Sequence, residues 1–436
     1  MNKPTKTKKL ASDKEARKCA KEFITAAVQT IVSLEDIKQS DNFYFPRIVK
    51  GKSFKPDFNS DLLLSNLVSH CVKKLGTKIG NEHDIRTVAW EVIAETYGED
   101  VDAVVKVLID KIQEQSATEH LFIAPNCAVS LQDNVKQFEV GPVRIKLSES
   151  LKGEHEKPDD KMKWKINLGA PHMTSWGEKG IELTYPAHCW EVSISTSPSN
   201  VQEEAFWLIN IALSCIRLYY PEDNNNFFPT LGKLETHPLL LPVVIDPRIY
   251  ITRKDRNTSF GKWVSPLLYV IDKNILGHFD KIDFKNLIKP IFNYKEGTVA
   301  ERVAHGFGWM TKGRHTVDKT ERFLFFYTAI EALVTSGDKN NPVTQTIARN
   351  AASIIDDRPK VRLTIAQDII KSYGIRSSLV HGGRRNVSDS EAYMAQLVAE
   401  TICKGVIKKI DLHTENDDYE KILKEASYGL PLPSNN

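Results

Sequence analysis

One short stretch of this sequence combines side chains that can hold a phosphate and move a proton. Residues 372–385 read SYGIRSSLVHGGRR, with Arg376 five positions before His381. An arginine guanidinium can clamp phosphate oxygens and stabilise the charge of a phosphorane. A histidine can accept or donate a proton near neutral pH. Together they are suited to phosphodiester cleavage in which an RNA 2′-hydroxyl attacks its own phosphate, without a metal ion.

The spacing predicts where these side chains lie on a helix. At 100° per residue, Ser377 and His381 share one face. Arg376 lies about 140° round the helix from His381 and roughly 7.5 Å away along the axis, a gap that only a long side chain can span. Gly382 and Gly383 are expected to end the helix directly after His381. On spacing alone, a histidine that only packs or caps is the favoured interpretation, and it is the sequence context that favours chemistry.

The charge around this stretch favours an anionic ligand. Between residues 358 and 385 there are seven basic residues and one acidic residue, whereas the whole chain of 436 residues carries a net charge of only +3. A uniformly basic, histone-like protein is therefore excluded, and a local basic patch is not. Arg384 and Arg385 are candidate contacts to an RNA backbone, although a glycine-flanked basic turn can equally be solvated surface.

Other kinds of chemistry find little support in the sequence. It contains no HExxH, no GxSxG and no phosphate-binding GxxxxGK[ST] motif. Its six cysteines are scattered, which predicts neither disulfides nor a zinc ribbon. We therefore expect no metal and no cofactor. The longest apolar stretch, Ala205 to Cys215, is too short to span a membrane, so we predict a cytoplasmic protein without a membrane partner.

The elements that must position these residues indicate an α+β multidomain chain. Residues 1–118 are predicted as a helical N-terminal region, with a solvated basic lead-in over 1–20 and helices between 61 and 115. Residues 119–290 are predicted as a mixed α+β module, with several strands and a helix over 200–219. Residues 291–412 are predicted as an all-α helical bundle of five helices, followed by a tail over 413–436. The five expected helices cover 298–310, 319–335, 342–355, 360–381 and 388–412.

Two segments of the predicted bundle resemble a known family. The stretch IKSYGIRSSLVHGG, at 370–383, and the stretch RFLFFYTAIEALVTSGDK, at 322–339, resemble the HEPN domain and specifically its Apea-like branch. That branch pairs an aromatic-rich helix ending in IEAL with a later helix of the pattern Y-x-x-RSxxVHG. Both pieces occur here in the right order, and the resemblance covers about 298–412.

The resemblance implies a fold, an activity and a set of site residues. It implies a bundle that forms a homodimer, so that two R-x4-6-H motifs meet across a two-fold axis. Members are commonly metal-independent endoribonucleases of toxin–antitoxin, antiphage or abortive-infection systems. Arg376 and His381 match the motif, and Ser377 takes the polar position after the arginine. Glu331 matches the glutamate of IEAL, and it either orients the arginine or anchors the bundle.

The resemblance leaves three functional hypotheses open. The first is a ribonuclease effector acting on RNA such as tRNA, with His381 as general acid or base and Arg376 as phosphate clamp. The second is a non-catalytic HEPN module that binds RNA, a nucleotide or a partner protein. In the third, the N-terminal 280 residues sense a phage or cellular trigger and release the C-terminal domain. The resemblance also makes an antitoxin a candidate partner.

Overall fold

The structure is a computed structural model that has a mixed α/β, mostly helical fold. It describes residues 10–32, 47–76, 80–116, 118–151, 162–166, 173–177, 180–221, 231–239, 250–252, 258–260, 268–335 and 342–433. These residues form thirteen α-helices and several small sheets. The chain divides into two compact units, one comprising 1–122 with 193–205 and the other 123–192 with 206–436. The predicted mixture of helices and strands is confirmed at this level.

The described residues of the first unit up to Ser116 form four helices and a small antiparallel sheet. The helices are α1 (Lys14–Val28), α2 (Phe58–Leu75), α3 (Glu82–Glu95) and α4 (Val101–Ser116), and the strands β1 (Ile31–Val32), β2 (Arg47–Val49) and β3 (Lys52–Phe54) pair in the order β1-β3-β2. The helices predicted between 61 and 115 are confirmed. In the expected lead-in, residues 14–20 instead belong to α1. Three of its alanines, Ala16, Ala20 and Ala27, form a buried face with Phe23, and Phe23 packs edge-on against Trp90. Residues 1–9 lie outside the described residues.

Between 119 and 271, the residues that the structure describes form eleven short strands and one long helix. The strands are β4 (Glu119–Pro125), β5 (Val129–Leu131), β6 (Gln137–Val140), β7 (Val143–Leu147), β8 (Met162–Ile166), β9 (Met173–Gly177), β10 (Gly180–Tyr185), β11 (His188–Ser195), β12 (Tyr250–Thr252), β13 (Thr258–Phe260) and β14 (Tyr269–Ile271). Their sheet orders are β4-β11-β7-β6, β8-β10-β9, β12-β13 and β14-β5. The helix expected over 200–219 is confirmed as α5 (Val201–Tyr219).

From Lys273 onward, the regular elements of the described residues are α-helices joined by loops. Its helices are α6 (Lys273–Phe279), α7 (Ile282–Phe292), α8 (Val299–His315), α9 (Lys319–Val334), α10 (Val343–Ile355), α11 (Pro359–His381), α12 (Asp389–Lys409) and α13 (Asn416–Ser427). The five predicted helices of the bundle are therefore present as α8 to α12. Within the expected tail, residues 416–427 form α13, because Tyr419, Leu423 and Ala426 give it a buried face. The Tyr419 hydroxyl donates a hydrogen bond to the Leu333 carbonyl at 3.0 Å.

A buried ionic cluster ties α8 and α12 to the rest of the second unit. The Arg314 guanidinium, on α8, is fully buried and donates to Glu235 at 3.1 Å and to the Thr311 hydroxyl at 2.7 Å. Glu400, on α12, lies 3.8 Å from Arg314 and 3.4 Å from Arg217 of α5. Two arginines and two glutamates thus balance one another inside the protein, as buried charges require. The cluster fixes the helices that flank the candidate site.

Candidate functional site

The candidate site lies on the last turns of α11. This helix begins with Pro359 in its first turn and ends at His381, with Gly382 as C-cap and Gly383 in the left-handed region at a φ of +71°. The predicted glycine stop is therefore confirmed. Of its 23 residues, all described, only Ile369 is buried. The helix is thus unusually exposed for one of its length, and its functional side chains are accessible.

Arg376 is held by the neighbouring helix α9. Its Nε lies 3.2 Å from Oε1 of Glu331, and its Nη2 lies 3.4 Å from Oε2 of the same carboxylate. The two side chains are 26% and 23% exposed, so the ion pair is half-buried at the surface of the bundle. The guanidinium carbon also lies 5.7 Å from the ring centre of Tyr373, one turn earlier on α11. The sequence placed Glu331 in the site only through the family resemblance, and the structure brings it to Arg376.

Tyr373 links this ion pair to the interior. Its ring lies 6.2 Å from that of the buried Tyr327 of α9. Burial raises the pKa of the Tyr373 hydroxyl, and the nearby Glu331 carboxylate raises it further. The phenol therefore stays protonated at neutral pH, and it can donate a hydrogen bond to Glu331.

His381 points away from this arrangement. Its side chain is exposed, and in the described part of the chain it makes no hydrogen bond and no ion pair. Ser377, one turn earlier on the same face, is half-buried. Arg376 faces α9, whereas His381 faces solvent about 140° further round the helix, as the spacing predicts. A single chain therefore presents both motif residues but does not bring them together.

The two arginines that follow the helix have different surroundings. The Arg384 side chain donates to both carboxylate oxygens of Glu391 on α12, at 2.9 and 3.0 Å, and to the Asn386 carbonyl at 2.9 Å. Its backbone N–H donates to the Ser378 carbonyl at 3.1 Å. Arg385 is exposed, and its side chain has no ion pair among the described residues. Arg384 thus joins the end of α11 to the start of α12, and Arg385 is open to a ligand.

Glu391 also caps α12, which fixes the loop after His381. Its carboxylate accepts the Ser388 N–H at 2.7 Å, and the Ser388 hydroxyl accepts the Glu391 N–H at 3.2 Å. This is the capping box that a serine followed by a glutamate three residues later favours. The backbone hydrogen bond and the Arg384 charge hold the pKa of Glu391 below its ordinary value.

The basic charge of residues 358–385 is largely matched by carboxylates. Arg376 and Arg384 have the partners described above, and three further ion pairs join Arg358 to Asp356, Arg362 to Asp357 and Lys371 to Asp368. Within the described ranges, Lys360 and Arg385 are the basic residues of this stretch without such a partner. The local excess of six positive charges in the sequence therefore overstates the field that an anion meets, because most partners lie outside the stretch.

The helix face that carries His381 also carries exposed apolar side chains. Leu363 is 67% exposed and Ile370 is 41% exposed, and both lie within about 20° of His381 on the helical wheel. Gly374 lies on the same face with open space where a side chain would stand. Large apolar side chains exposed in a row on one helix indicate a surface that another molecule can cover.

The comparisons with known proteins found no counterpart. No family model, no curated protein and no solved structure matches this chain. Among the described residues there is no group of three or more histidine, cysteine, aspartate or glutamate side chains that could hold a metal ion. No described helix is both long enough and apolar enough to cross a membrane.

Proposed function

We propose that this protein is a HEPN-type endoribonuclease that cleaves RNA without a metal ion. The observation that supports this most directly is the end of α11, where Arg376 is anchored beside Glu331 and His381 is exposed, with no hydrogen bond or ion pair to the described residues. The family resemblance supplies the reaction class, and the helical bundle around α11 is consistent with it. A solvent-accessible histidine, followed four residues later by Arg385, which has no ion pair among the described residues, is suited to meeting a phosphodiester.

The reaction follows from the chemistry of these side chains. His381 accepts the proton of a 2′-hydroxyl while that oxygen forms a bond to the adjacent phosphorus. The bond from phosphorus to the 5′-oxygen breaks, and a second protonated imidazole donates a proton to the leaving oxygen. Arg376 stabilises the charge that builds on the phosphoryl oxygens. The products are a 2′,3′-cyclic phosphate and a 5′-hydroxyl.

A homodimer would supply the second imidazole. The exposed apolar face of α11 carries His381 at one end, and Gly374 leaves room for a close approach. Two copies packed through this face would bring two His381 side chains to one surface. Isologous contacts of this kind are the commonest form of protein association.

The biological role that fits this activity is an effector of toxin, antiphage or abortive-infection type acting in the cytoplasm. Structured RNA such as tRNA is the proposed substrate class. The remaining chain would respond to a phage or cellular trigger, or to an antitoxin. These elements of the proposal depend on the family resemblance.

The test is cleavage of total cellular RNA by the purified full chain in excess EDTA. We expect discrete fragments ending in 2′,3′-cyclic phosphate, and losses of at least about 100-fold in rate for His381→Ala and for Arg376→Ala, since single general-acid or charge-stabilising groups are worth that much. His413→Ala is the matched control, because His413 is another exposed histidine of the same bundle. RNA binding that survives in His381→Ala, with no cleavage by the parent, would favour the non-catalytic module instead.

A further inference from the structure

We infer that Glu331 and the RNA phosphate compete for the Arg376 guanidinium. In the protein without RNA, the ion pair with Glu331 then keeps this guanidinium from binding a phosphate, and we call this ion pair the latch. The inference rests on the proposed function, since it concerns the regulation of the same site. The Arg376 Nη2 donates a hydrogen bond to Glu331 Oε2 at 3.4 Å, and its Nε lies 3.2 Å from Oε1 of the same carboxylate. A phosphate clamped by the same edge of the guanidinium needs the same two nitrogens.

The Arg376 side chain is directed away from His381. The Glu331 carboxylate holds the guanidinium on the α9 side of α11, whereas His381 is exposed on the opposite side. A phosphate within hydrogen-bond distance of His381 is therefore out of reach of the latched guanidinium. The gap of roughly 7.5 Å along the axis is one that an arginine side chain can cross only after it leaves Glu331.

The surroundings of Glu331 make this release feasible. The side chains of Arg376 and Glu331 are each about one-quarter exposed. Water can therefore solvate both charges when the ion pair opens. The Tyr373 ring lies beside the pair, 5.7 Å from the Arg376 guanidinium carbon, and its hydroxyl already interacts with the Glu331 carboxylate, an interaction that does not need the guanidinium. Glu331 therefore keeps a partner in both states, as a partly buried carboxylate requires.

The experiment measures binding of a 2′-O-methyl RNA oligonucleotide, which cannot undergo the attack, to the full-length chain. Glu331→Gln removes the competing charge and keeps the shape of the side chain. We expect it to bind roughly two- to fivefold more tightly than the parent, since pairs of this exposure are worth up to about 1 kcal/mol. The gain should disappear when Arg376→Gln is added. Binding by Glu331→Gln that is equal to or weaker than that of the parent would overturn the latch.

A matched control and a second variant keep the test specific. Glu420→Gln breaks a comparable half-buried pair with Arg302 in the same bundle, at 2.9 Å, and should leave RNA affinity unchanged. Glu331→Asp keeps the charge but shortens the side chain, and it should also tighten binding, which guards against a folding defect in Glu331→Gln. If Glu331→Gln and Glu331→Asp bind RNA more tightly but neither they nor the parent cleave it, the proposed ribonuclease activity is refuted and the latch is supported. If the parent cleaves RNA but neither variant binds it more tightly, the activity is supported and the latch is refuted.

Discussion

Replacing Arg384 and Arg385 one at a time by glutamine should separate a structural arginine from a ligand-binding one. The two residues are adjacent in sequence, and both are candidates for an RNA contact. Arg384 makes three side-chain hydrogen bonds, two of them to the Glu391 carboxylate. Arg385 makes no ion pair in the described part of the chain. Its backbone carbonyl accepts a hydrogen bond from the Thr320 hydroxyl at 3.0 Å, a contact that does not involve its side chain.

The magnitude for Arg384 follows from its partners and its exposure. Charge-assisted hydrogen bonds contribute about 1.5–3 kcal/mol when protected from water. The Arg384 side chain is 36% exposed, so solvent screening reduces the expected loss in Arg384→Gln to about 1 kcal/mol. Arg385→Gln should change the free energy of unfolding by less than about 0.5 kcal/mol, as substitutions at exposed positions without partners do.

The pH dependence has a definite sign. The folded-state pKa of Glu391 lies below its ordinary value of 4.5. Its contribution to stability is therefore fully present above pH 4.5 and is lost as the pH falls through the folded pKa. The stability difference between the parent and Arg384→Gln should accordingly shrink as the pH is lowered below 4.5.

The assay combines urea unfolding with the salt dependence of RNA binding. Each phosphate contact to a single strand adds about 0.7 to the slope of log affinity against log salt. We expect Arg385→Gln to lower that slope by about that amount and to keep the parent's unfolding midpoint. Arg384→Gln should lower the midpoint and keep the slope. A destabilised Arg385→Gln, or an Arg384→Gln as stable as the parent, would refute the assignment.

Two further predictions concern the framework around the site. Arg314→Met should cost about 3–5 kcal/mol, because it leaves Glu235 and Glu400 buried with one arginine between them. The urea midpoint should fall by roughly 1–2 M. Lys319→Met, which removes an exposed ion pair with Asp389, should leave the midpoint nearly unchanged. An Arg314→Met variant as stable as the parent would contradict the role given to the buried cluster. Ile370→Asp should convert the proposed dimer into a monomer without RNA cleavage, as measured by light scattering and by the cleavage assay, and an unchanged oligomeric state would contradict the proposed interface.

The helices of the bundle were predictable from sequence because their signals are local. The glycines after His381 stop α11, and Ser388 with Glu391 opens α12, so both boundaries can be placed without knowledge of the fold. The 140° between Arg376 and His381 likewise follows from helix geometry alone. Helix α13 was missed because acidic and lysine residues surround its few apolar positions, and its buried face depends on what it packs against.

The contacts that define the candidate site could not be read from local patterns. Glu331 and Arg376 are 45 residues apart, and their pairing depends on how α9 and α11 pack. The separate surroundings of Arg384 and Arg385 depend on the direction in which each side chain leaves the loop. Nothing in the residues near Arg314 signals that Glu235, 79 positions away, is its partner. Charge counted along the sequence therefore misjudged the field at the site.

The most direct test of the central claim uses one RNA oligonucleotide that the parent cleaves, and the same oligonucleotide with a single 2′-deoxy nucleotide at the cleaved position. Both are incubated in EDTA with the parent and with His381→Ala. The proposed chemistry predicts cleavage only for the all-ribose RNA with the parent, with a 2′,3′-cyclic phosphate at the new end. Cleavage of the 2′-deoxy RNA, or a His381→Ala variant as fast as the parent, would contradict it.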